Sequence, residues 1–287
     1  MPSTFTVHRH SDAQAFSRRA ESWLLRAEAE HNLILGLSQR LARSEAEHEP
    51  LIYLATIEDR DEVVGCAFRT PPFKLVLTRM PVQALPALVD DVGHVYTSIP
   101  AVMGPEQAAQ RFAERWSKRH GVTARLGMQQ RIYQLRAVTL PRLLPPGRLR
   151  KATLDDLDLA ADWIAAFSAE AGAMGAAARQ QAENHIAQQS LFFWETDVPV
   201  SMAGWSGRTP NGVRVGPVYT PPEHRRRGYA AASVVALSPH LLNTGSRFCF
   251  LYTDLANATS NGIYQRLGYQ PVCDVVDYDF ERLDVRP

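Results

Sequence analysis

Cysteine is scarce in this chain. Cys66, Cys249 and Cys273 are widely spaced and set among apolar residues. An odd count with no C-x-x-C pair excludes a disulfide framework and a cysteine-based metal site, and it fits a reducing, cytoplasmic setting. Long apolar runs are missing too. No stretch approaches the roughly 20 residues of a membrane span, and the opening "MPSTFTVHRHSDAQ" has no signal-peptide core. Charge of one sign is also lacking: 31 basic against 30 acidic residues leave a net +1. Such a balance gives no global field for nucleic acid or a membrane surface. No short-period repeat is present. What the chain does have is 45% hydrophobic and 21% charged residues, enough for packed cores and too apolar for disorder. Its 287 residues exceed the usual single domain, so two domains of about 140 residues are expected.

The clearest internal boundary is "LPRLLPPGRLRKATLDDLDL". Pro141, Pro145, Pro146 and Gly147 fit poorly in regular structure. The expected division is therefore a domain over 1–140, a linker over 141–150 and a second domain over 151–287. Thr153 with Asp156 reads as an N-cap with an acidic N3 partner, opening a helix over 154–169. Before the linker, the spacing predicts helices over 12–30, which "HNLILGLSQRLA" continues or restarts, and over 82–92 and 105–120. Strands are expected at 51–59, around 62–70, at "FKLVLTRM", at "HVYTSIPAVMG" and at "ARLGMQQRIYQLRAV". After it come a helix near 175–189, strands at 191–196, 198–207 and 213–220, and a helix over 229–244 that Pro239 bends or breaks. A strand at 247–254, a helix near 258–267 and a closing strand follow. Both halves thus order their elements alike, and the expected class is α+β (α/β), a mixed and mostly antiparallel sheet flanked by helices in each half.

Chemistry concentrates around "PPEHRRRGYAAASVV". Arg225, Arg226 and Arg227 precede Gly228, Tyr229 and Ala230 at a strand-to-helix junction. Taken alone, such a run reads first as a solvated basic turn. The alternative is a phosphate cradle: helix N-termini carry unpaired N–H groups and partial positive charge, and glycine lets a phosphate approach the backbone. The junction is where that mechanism needs it. A second constellation, "TDLANATSNGIYQRLGYQPV", places Asn257 and Tyr264 two helical turns apart, with Gly268 as the helix stop.

These two motifs, in this order, resemble the GNAT N-acetyltransferase superfamily. Arg225-Arg226-Arg227-Gly228-Tyr229-Ala230 is similar to the family's Q/R-x-x-G-x-G/A loop. Asn257, Ser260, Tyr264, Gly268 and Tyr269 are similar to its later N-x-x-[SA]-x-x-x-Y-x-x-x-G-[FY] signature. The motif-bearing likeness covers about 148–287, and the whole chain resembles tandem GNAT proteins whose first half has lost its cofactor loop. "PAVMGPEQAAQRF" in that half offers Gly104 but no arginine cluster. The resemblance implies acetyl-CoA as co-substrate and direct attack by an amine of a small molecule or a protein. It implies that backbone amides from Arg226 to Ala231 hold pyrophosphate, that Val218 and Thr220 line the pantetheine arm, and that Tyr264 serves the leaving thiolate. The strand before the loop has no carboxylate to act as base; Glu170, Glu195, Glu223 and His224 are the candidates nearby, Glu170 foremost because it lies where the first two helices meet, and a water relay to another base is the alternative. A CoA-binding interaction protein of the same fold, without turnover, is the alternative. No metal, nucleic acid or membrane partner is expected.

Overall fold

The computed structural model describes residues 5–43, 52–171 and 177–282. In chain order the first part holds β1 (Phe5–Arg9), α1 (Ala13–Leu24), α2 (Asn32–Ala42), β2 (Tyr53–Asp59), β3 (Glu62–Arg69), β4 (Leu75–Leu77), α3 (Leu85–Val95), β5 (Ala101–Pro105), α4 (Glu106–His120) and β6 (Val122–Leu135). The second part holds β7 (Arg148–Lys151), α5 (Leu157–Glu170), α6 (Ala178–Ala187), β8 (Leu191–Glu195), β9 (Pro199–Ser206), β10 (Gly212–Tyr219), α7 (Tyr229–Asn243), β11 (Phe248–Asp254), α8 (Ala258–Arg266) and β12 (Gln270–Arg282).

Two compact units form. One comprises Met1–Arg131 with Cys273–Pro287, the other Ile132–Val272. Their borders fall inside β6 and β12, away from the Pro-rich stretch at 141–150, which lies wholly within the second unit and ends in β7. Composition marks where the backbone leaves regular structure; strand pairing between distant segments decides which residues share a core. In the first unit the strand order is β1-β2-β3-β4-β5-β12-β6. There β12 runs antiparallel to β5, with Val275 opposite Pro105 and Asp279 opposite Ala101. In the second unit it is β6-β11-β10-β9-β8-β7. Pairing is mostly antiparallel, with parallel contacts at β4/β5 and β10/β11.

Each sheet buries both faces. In the first unit Phe16, Ala20, Leu24, Ile34 and Leu35 of α1 and α2 cover one side. Leu85, Leu88, Val92, Phe112 and Trp116 of α3 and α4 cover a second core. In the second unit α7 packs Val234, Leu237 and Leu241 on Val213, Val215, Cys249 and Leu251. Helices α5 and α6 pack Ala160, Ile164, Ala182 and Ile186 on Leu191, Phe193, Met202 and Tyr219.

Local chemistry explains most elements. Asp12 caps α1 by accepting from the Ala15 N–H at 2.7 Å. Thr153 and Asp156 form the capping box read from the sequence, closing the turn that precedes α5. Four expectations differ from what is observed. The helix expected over 12–30 ends as α1 at Leu24, and "HNLILGLSQRLA" restarts it as α2. The segment 94–99 is the end of α3 and a loop, with the strand starting only at Ala101. Strands β1 and β7, both short, had no counterpart in the reading. Pro239 lies inside an unbroken α7, where burial of Leu237, Ser238 and Leu241 outweighs the lost N–H bond. Of the helix expected near 175–189, residues 178–187 are helical, and 175–176 lie outside the described residues.

Candidate functional site

The site grows out of β10. Along β9 its pairing reaches Tyr219 opposite Met202, with an irregularity between Val215 and Val218. Along β11 it pairs only from Gly212 opposite Phe248 to Arg214 opposite Phe250. Among the described residues, β10 continues beyond that point through Val215–Tyr219 without a partner on its β11 side. The irregularity also changes which way the strand faces. Val213, Val215 and then Val218 pack on the α7 core, whereas Tyr219 packs on the α5/α6 core. An extra residue at Gly216-Pro217 accounts for the broken alternation. Glycine and proline inside "VRVGPVYT" are the sequence signal for it.

After β10 the chain turns through 220–228 into α7. Arg226 (φ 62°) and Gly228 (φ 83°) both adopt left-handed backbone. For an arginine this conformation costs about 1–2 kcal/mol, so the surroundings must hold it. Gly228 is the N-cap, and the first return bond of α7 is from the Ala232 N–H to its carbonyl at 3.0 Å. Consequently the six N–H groups from Arg226 to Ala231 find no acceptor among the described residues. They lie at the positive end of a 15-residue helix. An oxyanion or phosphate group is the ligand such a row fits.

The three arginines differ in task. Arg225 donates from Nε to the Thr220 carbonyl at 2.9 Å and from Nη2 to Glu170 Oε1 at 2.6 Å. Its guanidinium lies 5.8 Å from the centre of the Tyr219 ring. The pair with Glu170 holds the Arg225 charge still more firmly in place. Arg226 and Arg227 are exposed and form no ion pair among the described residues. Arg225 thus fastens the loop to β10 and α5, and its two neighbours carry the free charge.

The other residues singled out in the sequence take these places. Thr220 bonds through its hydroxyl to Ser201 Oγ at 2.8 Å, and its carbonyl is taken by Arg225. Tyr229 opens α7 with its ring edge-on to His224, 6.4 Å away. Asn257 is the N-cap of α8: its side chain accepts from the Ser260 N–H at 3.0 Å. Gly268 (φ 98°) ends α8, with bonds from the Gly268 N–H to the Gln265 carbonyl and from the Tyr269 N–H to the Tyr264 carbonyl, both 3.0 Å. That pair of bonds is a Schellman stop, and it locks the backbone of Tyr264. A Cβ on Gly268 would lie 3.0 Å from the Ala137 carbonyl, so the close approach needs glycine as well.

Tyr264 sits half-buried on the core that also receives Val218 and Ala231. Its ring meets Tyr269 edge-on at 5.6 Å. Burial pushes its phenol up to about 12, and its hydroxyl has no hydrogen-bond partner among the described residues. The structure therefore brings Val218, Ala231 and Tyr264 onto one core and the loop onto its edge. Glu170 is brought to the loop by Arg225, on the α5 side. Glu195 is held by Arg150 and Arg148 on the far strands β7 and β8, which depresses its carboxyl, so it is removed from the loop. Glu223 is exposed, and His224 is half-buried in the turn.

The matching junction in the first unit differs. There β4 leads to α3 through Thr78–Ala84, and not through the segment around Gly104 where the sequence suggests the missing loop. Gly104 instead lies on β5, where a Cβ would sit 2.9 Å from the Leu77 carbonyl. β4 pairs with β5 up to Val76 and runs only one residue further, to Leu77. Pro81 lacks an N–H donor, and Pro86 occupies the first turn of α3. Neither an opened strand edge nor a glycine-led helix start is found at this junction.

Among the described residues, no group of His, Cys, Asp and Glu is placed to hold a metal ion. No helix among them is long and apolar enough to cross a membrane. The FR47-like protein family model matches residues 193–276. An acetyltransferase of the GNAT family from Colwellia psychrerythraea superposes with a TM-score of 0.59 at 12% identity, covering 96% of this chain and 100% of that one. A GCN5-related N-acetyltransferase from Sphaerobacter thermophilus gives 0.55 at 16% identity, covering 99% and 96%. A tandem GNAT protein from the clavulanic acid biosynthesis pathway gives 0.53 at 10%, covering 96% and 98%. Comparison with curated protein sequences finds no match. The chain thus has the fold of these GNAT proteins, and the FR47-like match falls in its second unit.

Proposed function

We propose that the second unit is an acetyl-CoA-dependent N-acetyltransferase. The observation that carries this reading is the row of six free backbone N–H groups at the start of α7, beside a strand edge that has lost its neighbour. A pyrophosphate fits the first feature, and the amide-bearing pantetheine arm fits the second, since an unpaired strand edge offers a ladder of hydrogen bonds. Arg226 to Ala231 would hold the phosphates, with Arg226 and Arg227 adding charge. Val218 and the backbone of Thr220 would line the arm.

In this reading a neutral amine attacks the thioester directly, and the acceptor is a small molecule or a protein amine. Tyr264 acts as a hydrogen-bond donor. Its phenol, near 12, is a weaker acid than a thiol of about 8.5, so it steadies the departing thiolate without surrendering its proton. Glu170, engaged by Arg225, is a positioning residue for the loop. The first unit, lacking the opened edge, does not bind the co-substrate, and the protein works in the cytoplasm without nucleic acid or a membrane.

The test has two steps. Calorimetric titration with acetyl-CoA measures binding, and thiol release across a panel of primary amines measures transfer. Binding with transfer to at least one amine supports the reading. Binding without transfer favours the alternative, a CoA-responsive interaction protein, and absence of binding removes both.

A further inference from the structure

The site so far has no residue to accept a proton from the acceptor amine. His185 lies on the last turn of α6. Its Nδ1 lies 2.7 Å from Ser190 Oγ, and that hydroxyl donates to the His185 carbonyl at 3.2 Å. A hydroxyl has one proton to give. With that proton on the carbonyl, Ser190 accepts from Nδ1–H, the tautomer that leaves the lone pair on Nε2, which has no hydrogen-bond partner among the described residues.

The place is also fixed. The Ser190 carbonyl accepts from the Trp205 N–H at 2.9 Å. It lies 3.1 Å from where a Cβ of Gly204 would stand, a point only 3.2 Å from Pro217 Cδ. Ser190 therefore backs onto the irregularity of β10, and His185 hangs from it on the α5/α6 face. Burial lowers the His185 pKa below its ordinary value, and the Arg214 charge on β10 lowers it further. No carboxylate of α5, β8 or β9 acts against this among the described residues. The ring is thus neutral at neutral pH.

We propose that His185 is the general base of the second unit, an inference that rests on the acyl-transfer reading above. Its Nε2 lone pair takes one proton from the acceptor ammonium, leaving an amine whose nitrogen attacks the thioester carbonyl carbon. The C–N bond forms, the C–S bond breaks with its electron pair going to sulfur, and the nitrogen's second proton ends on the thiolate. The imidazolium then returns its proton to water.

The test uses the full chain, acetyl-CoA, and whichever amine of the panel the wild type acetylates. His185→Gln lowers kcat at pH 7 by about 100-fold or more. The deficit shrinks as pH rises and the amine deprotonates unaided, while acetyl-CoA affinity by calorimetry is unchanged. In the ligand-free protein, proton NMR shows one imidazole titrating below pH 6.5 that is absent in His185→Gln and shifted in Ser190→Ala. Wild-type turnover with an unaffected variant, or a deficit equal at every pH, overturns this inference alone. A wild type that binds acetyl-CoA and acetylates no amine overturns it together with the enzymatic reading.

Discussion

Replacing Gly228 by alanine separates two reasons for a glycine at the head of α7. A Cβ there would meet only Pro145, at 3.7 and 3.9 Å, which is ordinary contact. Space is therefore no obstacle. The backbone is: φ of 83° places a Cβ against the following carbonyl at a cost of about 1–2 kcal/mol. The variant meets that cost in one of two ways. It keeps the conformation and loses stability, which lowers Tm by about 2–8 °C. Or it relaxes φ and turns the N–H groups of Arg226 to Ala231 out of register, which weakens acetyl-CoA binding by up to about 10-fold. Gly245→Ala is the control. Its φ is 104° with nothing near its Cβ, and it lies beyond the other end of α7. Calorimetry and thermal denaturation on both variants decide the matter. Gly228→Ala should lose affinity out of proportion to stability, and Gly245→Ala only stability. A Gly228→Ala variant that keeps both its Tm and its acetyl-CoA affinity would refute the assignment of the loop.

Tyr264→Phe removes one hydrogen bond to the thiolate and keeps the ring packing on Tyr269. Steady-state kinetics should show kcat reduced by about 10- to 100-fold with acetyl-CoA affinity little changed. Glu170→Gln loosens Arg225; because both side chains are well exposed, KM for acetyl-CoA should rise by less than about 5-fold with the pH profile unmoved. A lost acid limb in that variant would restore Glu170 as the base. Arg150→Met tests linkage. Arg150 bonds to Asp156 at 2.7 and 2.9 Å and to Glu195, and holds both carboxyls below their ordinary values. Depressed carboxyls contribute stability above their unfolded values near 4 that is lost as pH falls through the lower folded ones. The variant should therefore have a lower Tm at pH 7 and a flatter loss of stability from pH 4 to 2.

The second half of the chain was legible because its signals are local. A glycine with φ of 83° before a helix, an asparagine cap and a glycine stop each leave their mark within a few residues. The domain border was not legible. Nothing around Val275 says that its partner is Pro105, and the prolines at 141–150 pulled the boundary toward themselves. Asn257 was read as a ligand contact because it shares the motif with Tyr264; the structure shows its side chain closing the first turn of α8. Glu170 was found by position, but its link to Arg225 joins residues 55 apart. His185 was invisible for the same reason, since the bulge that gives it meaning begins at Gly216, 31 residues further on (216 − 185).

That Cys273–Arg282 completes the first unit has a consequence for synthesis. Val275 pairs with a residue made 170 positions earlier (275 − 105), so the first unit cannot close until nearly the whole chain has been translated. Until then β5 waits with an open edge, the kind of surface to which stray strands add. The second unit, whose residues are contiguous, has everything it needs sooner and becomes the loop that the first must close across. A gene cut at the Pro-rich stretch would therefore yield an N-terminal fragment lacking a strand and a C-terminal fragment carrying one it cannot use. The chain is one folding unit in time, even though it is two in space.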